Sequence, residues 1–223
     1  MAKHIMLAIP AYTWAVMLPT MRSIIADMTA LMQRGDKVSL FDESGSTDLP
    51  DARAVMVGHF LKSDATHLVS LDNDICWEAG ALVRLVDYPV DMVAGVYPKR
   101  KDPIEYPVKW LPSPTLQADP ETGLLEVEAA PGGFVRYTRN CLETMTANYP
   151  GLRFKSTRYG TEDDLYALFE PMFIDGRRMG EDFAFCRRWR DIGGQVWIDP
   201  EIKMGHIGPK MFDGHLGHWL RNR

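Results

Sequence analysis

The feature that most constrains this chain is the alternation of short apolar runs with amphipathic segments across its first half. Short apolar runs predict buried strands, and longer segments with apolar residues three and four apart predict helices. The predicted order is strand 4–9, helix 19–34, strand 37–41, helix 51–61, strand 66–71, helix 78–86 and strand 91–97. This alternation predicts an α/β fold with a parallel, Rossmann-like sheet and helices on both faces.

The second half has a different character. Residues 98–131 are rich in proline and turn residues and predict an extended, hairpin-rich insertion that projects from the sheet without a helix. After it we predict strand 132–138, helix 139–148, strand 165–174, helix 181–192 and strand 195–200, followed by a polar tail. No internal repeat or long linker interrupts the sequence, so a single domain over 1–223 is expected.

Composition excludes several classes of protein. The net charge of −5 argues against a protein that grips nucleic acid by bulk electrostatics alone. No apolar run approaches the roughly 20 residues needed to cross a bilayer, and the N-terminal segment lacks the ordered regions of a secretory signal. The three cysteines are widely spaced, which is typical of reduced thiols. A cytoplasmic protein without a membrane span is therefore expected.

The segment THLVSLDNDICW places two carboxylates, Asp72 and Asp74, directly after a predicted buried strand. In a parallel sheet, ligands bind at the carboxyl ends of the strands. If the extended geometry continues through Asn73, the two side chains point to the same side with Cα atoms roughly 6.6 Å apart. Carboxylate oxygens favour Mg²⁺ or Mn²⁺. The alternative is an ordinary turn, in which aspartate is common.

Three further residues attract attention in the second half. Glu181 and Asp182 begin a predicted amphipathic helix, and His206 lies near glycines after the last predicted strand. Acidic residues at a helix N-terminus also stabilise the helix dipole, and a histidine in this position also suits a polar loop. Each of these residues therefore has a purely structural explanation when it is considered alone.

Taken together, the motifs resemble the GT-A class of nucleotide-sugar glycosyltransferases, most of all its small bacterial and bacteriophage members. The ordered set is Asp72-Asn73-Asp74 after a strand, Gly132-Gly133-Phe134 at a strand start, Gly180-Glu181-Asp182 at a helix start, and His206-x-Gly208. The resemblance covers nearly the whole chain. It implies a GT-A type mixed sheet, with a nucleotide-binding half at about 1–97 and an acceptor-binding half at about 98–223.

The resemblance also implies a donor site, with a UDP-sugar as the expected donor. Tyr12 would stack on the base or contact its edge, and Arg53 would reach the base or the pyrophosphate. Gly132 and Gly133 would let the backbone approach the sugar. The alternatives are a packing aromatic, a solvated arginine and an ordinary strand bulge. The implied nucleotide-sugar-binding residues are Pro10, Ala11, Tyr12, Arg53, Asp72, Asn73, Gly132 and Gly133.

By the same resemblance, Mn²⁺ or Mg²⁺ would be held by Asp74 and His206, with Asp72 bound directly or through water. Asp182 would be the general base that deprotonates the acceptor hydroxyl, and Glu181 would orient the acceptor. These roles favour an inverting transfer, although some proteins with this pattern retain configuration. His215 and His218 also suggest a zinc set with His206, but no cysteines accompany them.

The acceptor stays open at this point. Hydroxymethylated bases in DNA, a polysaccharide, a lipid-linked sugar and a protein all fit the pattern, and a basic cluster at Lys99, Arg100 and Lys101 suits phosphates. Two other functions remain as alternatives. A nucleotidyltransferase should carry a glycine-rich phosphate loop, which the segment IPAYTWAVMLP lacks. A non-catalytic nucleotide-sugar-binding module would keep the fold without turnover.

Overall fold

The computed structural model describes residues 2–112, 115–156 and 163–222. The strands of the main sheet are β1 His4–Ala11, β2 Lys37–Ser44, β3 His67–Leu71, β5 Met92–Gly95, β6 Leu125–Val127, β7 Phe134–Thr138 and β12 Val196–Asp199. The remaining strands are β4 Ile75–Trp77, β8 Arg153–Ser156, β9 Asp163–Tyr166, β10 Met172–Ile174, β11 Arg177–Met179, β13 Lys203–Ile207 and β14 Met211–His215. The helices are α1 Leu18–Gln33, α2 Leu49–Lys62, α3 Ala81–Asp87, α4 Arg139–Asn148, α5 Glu181–Asp191 and α6 Leu216–Arg221, with a 3₁₀ turn at Pro150–Leu152.

The main sheet is mixed, with seven strands in the order β2-β1-β3-β7-β5-β12-β6. β1 is parallel to both β2 and β3, and β12 is parallel to β5. β7 runs antiparallel between β3 and β5. The four strands of the first half therefore run in the same direction, as predicted, but β5 does not pair with β3, because a strand from the second half of the chain is inserted between them. The predicted mixed α/β architecture is confirmed.

Residue periodicity explains the two layers of core. In β1, Met6 and Ala8 point into one apolar cluster, whereas Ile5, Leu7 and Ile9 point into the other. A strand with both faces buried is apolar throughout, which is why this segment lacks polar alternation. Helix boundaries follow local signals as well: α1 has proline in its first turn, and Gly35 follows its end with a φ of 95°.

Several predicted elements need correction. Segment 165–174 was expected to be one strand, but β9 ends at Tyr166 and β10 starts at Met172. The segment IKMGHIGP and the polar tail after it, where no helix or strand was predicted, form β13, β14 and α6. The segment after Asp74 forms the short strand β4. The insertion at 98–131 does not only project, because it returns to the main sheet as β6, antiparallel to β12. In the part of the chain that the structure describes, no helix is long and apolar enough to span a membrane.

A small second sheet, ordered β14-β13-β4, stands beside the end of β3. In this sheet His206 pairs in register with Ile75, and the backbone N–H of Ile207 donates to the carbonyl of Asp74 at 2.9 Å. This pairing joins the segment after β3 to a segment about 130 residues later in the chain. It fixes how Asp74 and His206 lie relative to each other.

Candidate active site

The predicted site residues come from segments that end at one edge of the main sheet. Leu71 at the end of β3 pairs with Phe134 at the start of β7, so Asp72 and Gly133 are neighbours in the ladder. The backbone N–H of Asp72 donates to the carbonyl of Gly133 at 2.8 Å. Because β7 is antiparallel to β3, its glycine-rich start lies at the carboxyl end of β3.

The Asp72 carboxylate lies between an arginine and a tyrosine. Arg53 Nη2 on α2 donates to Asp72 Oδ1 at 3.4 Å, and the Tyr97 hydroxyl lies 3.5 Å from Asp72 Oδ2. The same hydroxyl accepts a hydrogen bond from the backbone N–H of Gly133 at 3.2 Å. Burial and the nearby charge of Asp72 raise the pKa of Tyr97 well above its usual value, so its hydroxyl stays protonated.

The two glycines make room for these side chains. A Cβ on Gly133 would lie 2.3 Å from Asp72 Oδ2, and a Cβ on Gly132 would lie 2.3 Å from Arg53 Nη1. Neither distance is compatible with a real side chain unless its neighbour moves. The glycines are thus required for close packing of the Asp72–Arg53 pair, which adds a reason for them to the sugar approach implied by the resemblance.

Arg53 is the buried cation of the site. Its Nη1 lies 3.6 Å from Glu181 Oε1, and its guanidinium carbon lies 5.6 Å from the centre of the Phe169 ring. Burial alone would lower the pKa of Arg53, but the charges of Asp72, Asp182 and Glu181 outweigh it and raise the pKa. Within the described part of the chain, its buried Nε and Nη1 have no hydrogen-bond acceptor. Arg53 thus links two carboxylates across the site and still has donors to offer.

Asp182 occupies the first turn of α5, as the sequence predicts. Its Oδ2 accepts from the backbone N–H of Gly132 at 3.3 Å, and its Oδ1 accepts from that of Phe183 at 2.8 Å. Burial is the largest influence on the pKa of Asp182 and raises it, and the charge of Glu181 adds to this, whereas Arg53 opposes it. A carboxylate with a raised pKa is a stronger base than an ordinary aspartate.

Asp74 and His206 form the second half of the site. Asp74 Oδ1 lies 3.7 Å from His206 Nε2. His206 Nδ1 lies 2.9 Å from the carbonyl oxygen of Pro98, which can only accept, so Nδ1 carries the proton and Nε2 presents a lone pair toward Asp74. Burial lowers the pKa of His206, and the charge of Arg100 contributes to the same shift. Arg100 also forms an ion pair with Asp74 Oδ2.

These donors fit a divalent cation in part. A neutral imidazole with a fixed tautomer beside one carboxylate is a donor set that suits Mn²⁺ or Mg²⁺, which keep several positions for water and phosphate. Asp72 faces Arg53 and Tyr97 instead, and no group of three or more His, Cys, Asp or Glu side chains within 2–112, 115–156 and 163–222 is arranged to hold a metal. His215 and His218 stack on each other at 4.1 Å, and they are not assembled with His206.

The residues predicted to line the base pocket lie at the end of β1, which contains Pro10 and Ala11, and in the loop after it, which begins with Tyr12. Ala11 is buried, whereas Tyr12 and Trp14 are 61% and 78% exposed. The amide of Asn73 donates to the carbonyl of Ala15 at 2.8 Å and so ties this loop to the segment between the two aspartates. Beside the loop is a cavity of about 380 Å³, which is lined by Trp14, Phe41, Asp42, Glu43, Ser44, Val55, Gly58, His59, Lys62, Ser156 and Leu165.

Sequence reasoning missed the contacts of two residues in this site. Tyr97 was predicted only as the last residue of a strand, and Arg100 only as one member of a basic cluster. The signal for Tyr97 was its position at the carboxyl end of a predicted parallel strand, where ligand sites form. Nothing in the sequence distinguishes Arg100 from the lysines on either side of it as the partner of Asp74.

Neither a protein-family model nor a curated protein matches this sequence. Its fold is similar to that of several solved structures, among them A197 from STIV and GalNAc-T7. The A197 protein from STIV is similar with a TM-score of 0.56 and 18% identity over 92% of this chain and 86% of that chain. GalNAc-T7, solved with UDP, GalNAc and Mn²⁺, is similar with a TM-score of 0.54 and 13% identity over 94% of this chain. This chain spans only 44% of GalNAc-T7. The chain thus has a GT-A-like fold, as predicted.

Proposed function

We propose that this protein is a metal-dependent glycosyltransferase that moves a sugar from a nucleotide donor, a UDP-sugar, to a hydroxyl acceptor. The observation that carries the proposal is the position of Asp182, a carboxylate of raised pKa. It accepts a hydrogen bond from the backbone N–H of Gly132 near the carboxyl end of β3, in a GT-A-like fold, and the charge of the buried Arg53 that pairs with Asp72 also acts on it. The similarity to GalNAc-T7, which was solved with UDP and Mn²⁺, supports the choice of donor and cation.

In this proposal, Asp74 and His206 hold Mn²⁺ or Mg²⁺, and Asp72 lies beside the donor ribose. The cation would neutralise the charge that develops on the departing nucleoside diphosphate. The fixed tautomer of His206 keeps its Nε2 available as a ligand without any prior loss of a proton. Asn73 would couple the base-binding loop to the metal-binding segment through its hydrogen bond to Ala15.

The chemical step assigns the proton to Asp182. As the acceptor oxygen attacks the anomeric carbon, its proton moves to the Asp182 carboxylate, and the bond between that carbon and the diphosphate oxygen breaks. The electron pair of that bond leaves with the diphosphate. A single displacement of this kind inverts the configuration at the anomeric carbon. The backbone N–H groups of Gly132 and Phe183 orient the carboxylate, and Glu181 would bind the acceptor.

The nucleoside would lie toward the loop after β1. Tyr12 and Trp14 offer exposed aromatic faces there, and the neighbouring cavity has room for a base. The acceptor would approach from the side of α5, because Asp182 and Glu181 begin that helix. Duplex DNA with hydroxymethylated bases is one acceptor to test, and salt-dependent binding to it would separate it from neutral polysaccharide.

The proposal is tested by incubating the protein with Mn²⁺ and a panel of nucleotide sugars and measuring release of free nucleoside diphosphate. Asp74→Ala should abolish metal-dependent donor binding. Asp182→Asn should retain donor binding and reduce transfer by at least about a hundredfold, the usual effect of a lost general base. Asp191→Asn, at the other end of α5, is the matched control and should behave as the wild type.

Two results would contradict the proposal. Wild-type transfer by Asp182→Asn would remove the base from the mechanism. Calorimetric binding of a nucleotide sugar without any turnover across the panel would indicate a binding module rather than an enzyme.

A further inference from the structure

The residue that compensates the charge of Asp74 in this structure is Arg100, which pairs with Asp74 Oδ2 while His206 faces Oδ1. We propose that the Arg100 guanidinium occupies the place of the divalent cation on Asp74, and that it moves to the donor diphosphate once a metal ion takes that place. Arg100 would then be a positioning residue with two alternative anionic partners. This inference rests on the function proposed above.

The neighbours of Arg100 make other pairings. Lys99 Nζ lies 3.3 Å from Glu105 Oε2, and Lys101 Nζ lies 2.6 Å from Glu105 Oε1. Both lysines of the basic cluster therefore share one exposed glutamate on their own loop. Of the three cations, only Arg100 pairs with a carboxylate of the candidate site. The basic cluster predicted from the sequence is thus divided between two tasks.

The surroundings of Arg100 leave it free to move. Its side chain is 42% exposed, so breaking its pair with Asp74 costs little, because exposed ion pairs contribute little stability. A Cβ on Gly208 would lie 3.0 Å from Arg100 Cδ, so the absence of a side chain at 208 leaves room for the aliphatic part of Arg100. Guanidinium binds carboxylate and phosphate with the same planar, bidentate geometry, so both partners suit it.

The charges of the site favour an exchange. The charged groups are the carboxylates Asp72, Asp74, Glu181 and Asp182 and the guanidiniums of Arg53 and Arg100. Formally, four negative and two positive charges leave an excess of two negative charges, which one divalent cation would neutralise. A donor diphosphate then brings new negative charge into the site. A guanidinium displaced from Asp74 would be available to pair with that charge.

The test measures two affinities in opposite directions. Arg100→Gln keeps the side-chain carbons as far as Cδ and a polar end group, and it removes the charge. Mn²⁺ binding without nucleotide, followed by the EPR signal of free Mn²⁺, should become up to about fivefold tighter, because the metal no longer displaces a partly exposed ion pair. UDP binding at saturating Mn²⁺, followed by calorimetry, should become about tenfold weaker. Lys99→Gln on the same loop is the matched control and should change neither affinity.

Each other result has a distinct meaning. Equal Mn²⁺ affinity in wild type and Arg100→Gln would overturn the inference and leave the proposed metal site intact. A loss of both affinities would indicate a structural role for Arg100 and also overturn it. Unchanged UDP affinity would remove the movement to the diphosphate. Absence of Mn²⁺ binding in both proteins would overturn the proposed metal site together with this inference.

Discussion

The two aspartates of the DND segment are two residues apart, but their surroundings differ sharply. Asp72 faces an arginine whose side chain is 3% exposed, and Asp74 faces one that is 42% exposed. Arg53 is shared among several carboxylates and packs over Phe169, whereas Arg100 pairs with Asp74 from an exposed loop. One carboxylate therefore has a buried counter-ion, and the other has a partly exposed one.

The largest effect should come from removing Arg53, the buried counter-ion of Asp72. Arg53→Met leaves Asp72, Asp182 and Glu181 together without their shared cation. Breaking a buried ion pair from one side typically costs about 3–5 kcal/mol, so the free energy of unfolding should fall by about that amount. Urea denaturation followed by circular dichroism measures it. A loss below about 1 kcal/mol would show that the Asp72 side is no more rigidly held than the Asp74 side.

The close packing around Asp72 gives the next prediction. Gly133→Ala places a Cβ against Asp72 Oδ2 and within 2.6 Å of the Tyr97 hydroxyl, so we expect a loss of about 1–3 kcal/mol in the free energy of unfolding. Gly151→Ala is the matched control, because a Cβ there meets nothing within 4 Å. Equal thermal stability of the two variants would show that Asp72 and Tyr97 can move to accommodate a side chain at position 133.

The pH dependence of sugar transfer should show the protonation of Asp182. Asp182 must be deprotonated to act as a base, and its raised pKa favours the protonated form. The acidic limb of kcat/KM against pH should therefore lie above the ordinary aspartate pKa of about 3.9. The stability of the fold should change with pH in the opposite direction. A carboxyl group whose pKa is higher in the folded protein than in the unfolded chain stabilises the fold more as the pH decreases. An acidic limb at or below the ordinary value would contradict the assignment.

The smallest effect on stability should come from removing the charge of Arg100, the partly exposed counter-ion of Asp74. Arg100→Gln removes a partly exposed pair, and such pairs contribute about 0–1 kcal/mol. The free energy of unfolding should change by no more than that in the same urea experiment. A loss of stability comparable to that of Arg53→Met would contradict the contrast between the counter-ion of Asp72 and that of Asp74.

Much of the fold could be predicted from the sequence because local signals govern it. Helix α4 was predicted at its observed bounds, since Thr138 caps it through a hydrogen bond from the backbone N–H of Cys141. The order of the strands was not predictable in this way. Nothing local in Phe134–Thr138 indicates that it lies between β3 and β5, because strand order depends on long-range pairing.

The site could be predicted in part. The structure brings Asp74 beside His206, two residues that the resemblance had grouped as ligands of one cation. The pairing of Arg53 with Asp72 and Glu181 was not predicted. The contacts of Tyr97 and Arg100 were missed, because their importance arises from neighbours that are distant in sequence. β4 was missed because three residues after an acidic turn, Ile75–Trp77, do not show strand periodicity on their own.

The pairing of β4 with β13 has a consequence for redesign. The gap between Asp74 and His206 is set by a main-chain ladder, in which Ile75 lies opposite His206 and Ile207 is anchored to the Asp74 carbonyl. The distance between the backbone at positions 74 and 206 should therefore not depend on which side chains these positions carry. If Asp74 and His206 hold a cation as proposed, exchanging the imidazole for a carboxylate or a thiolate would change which ion is preferred while the backbone spacing stays unchanged.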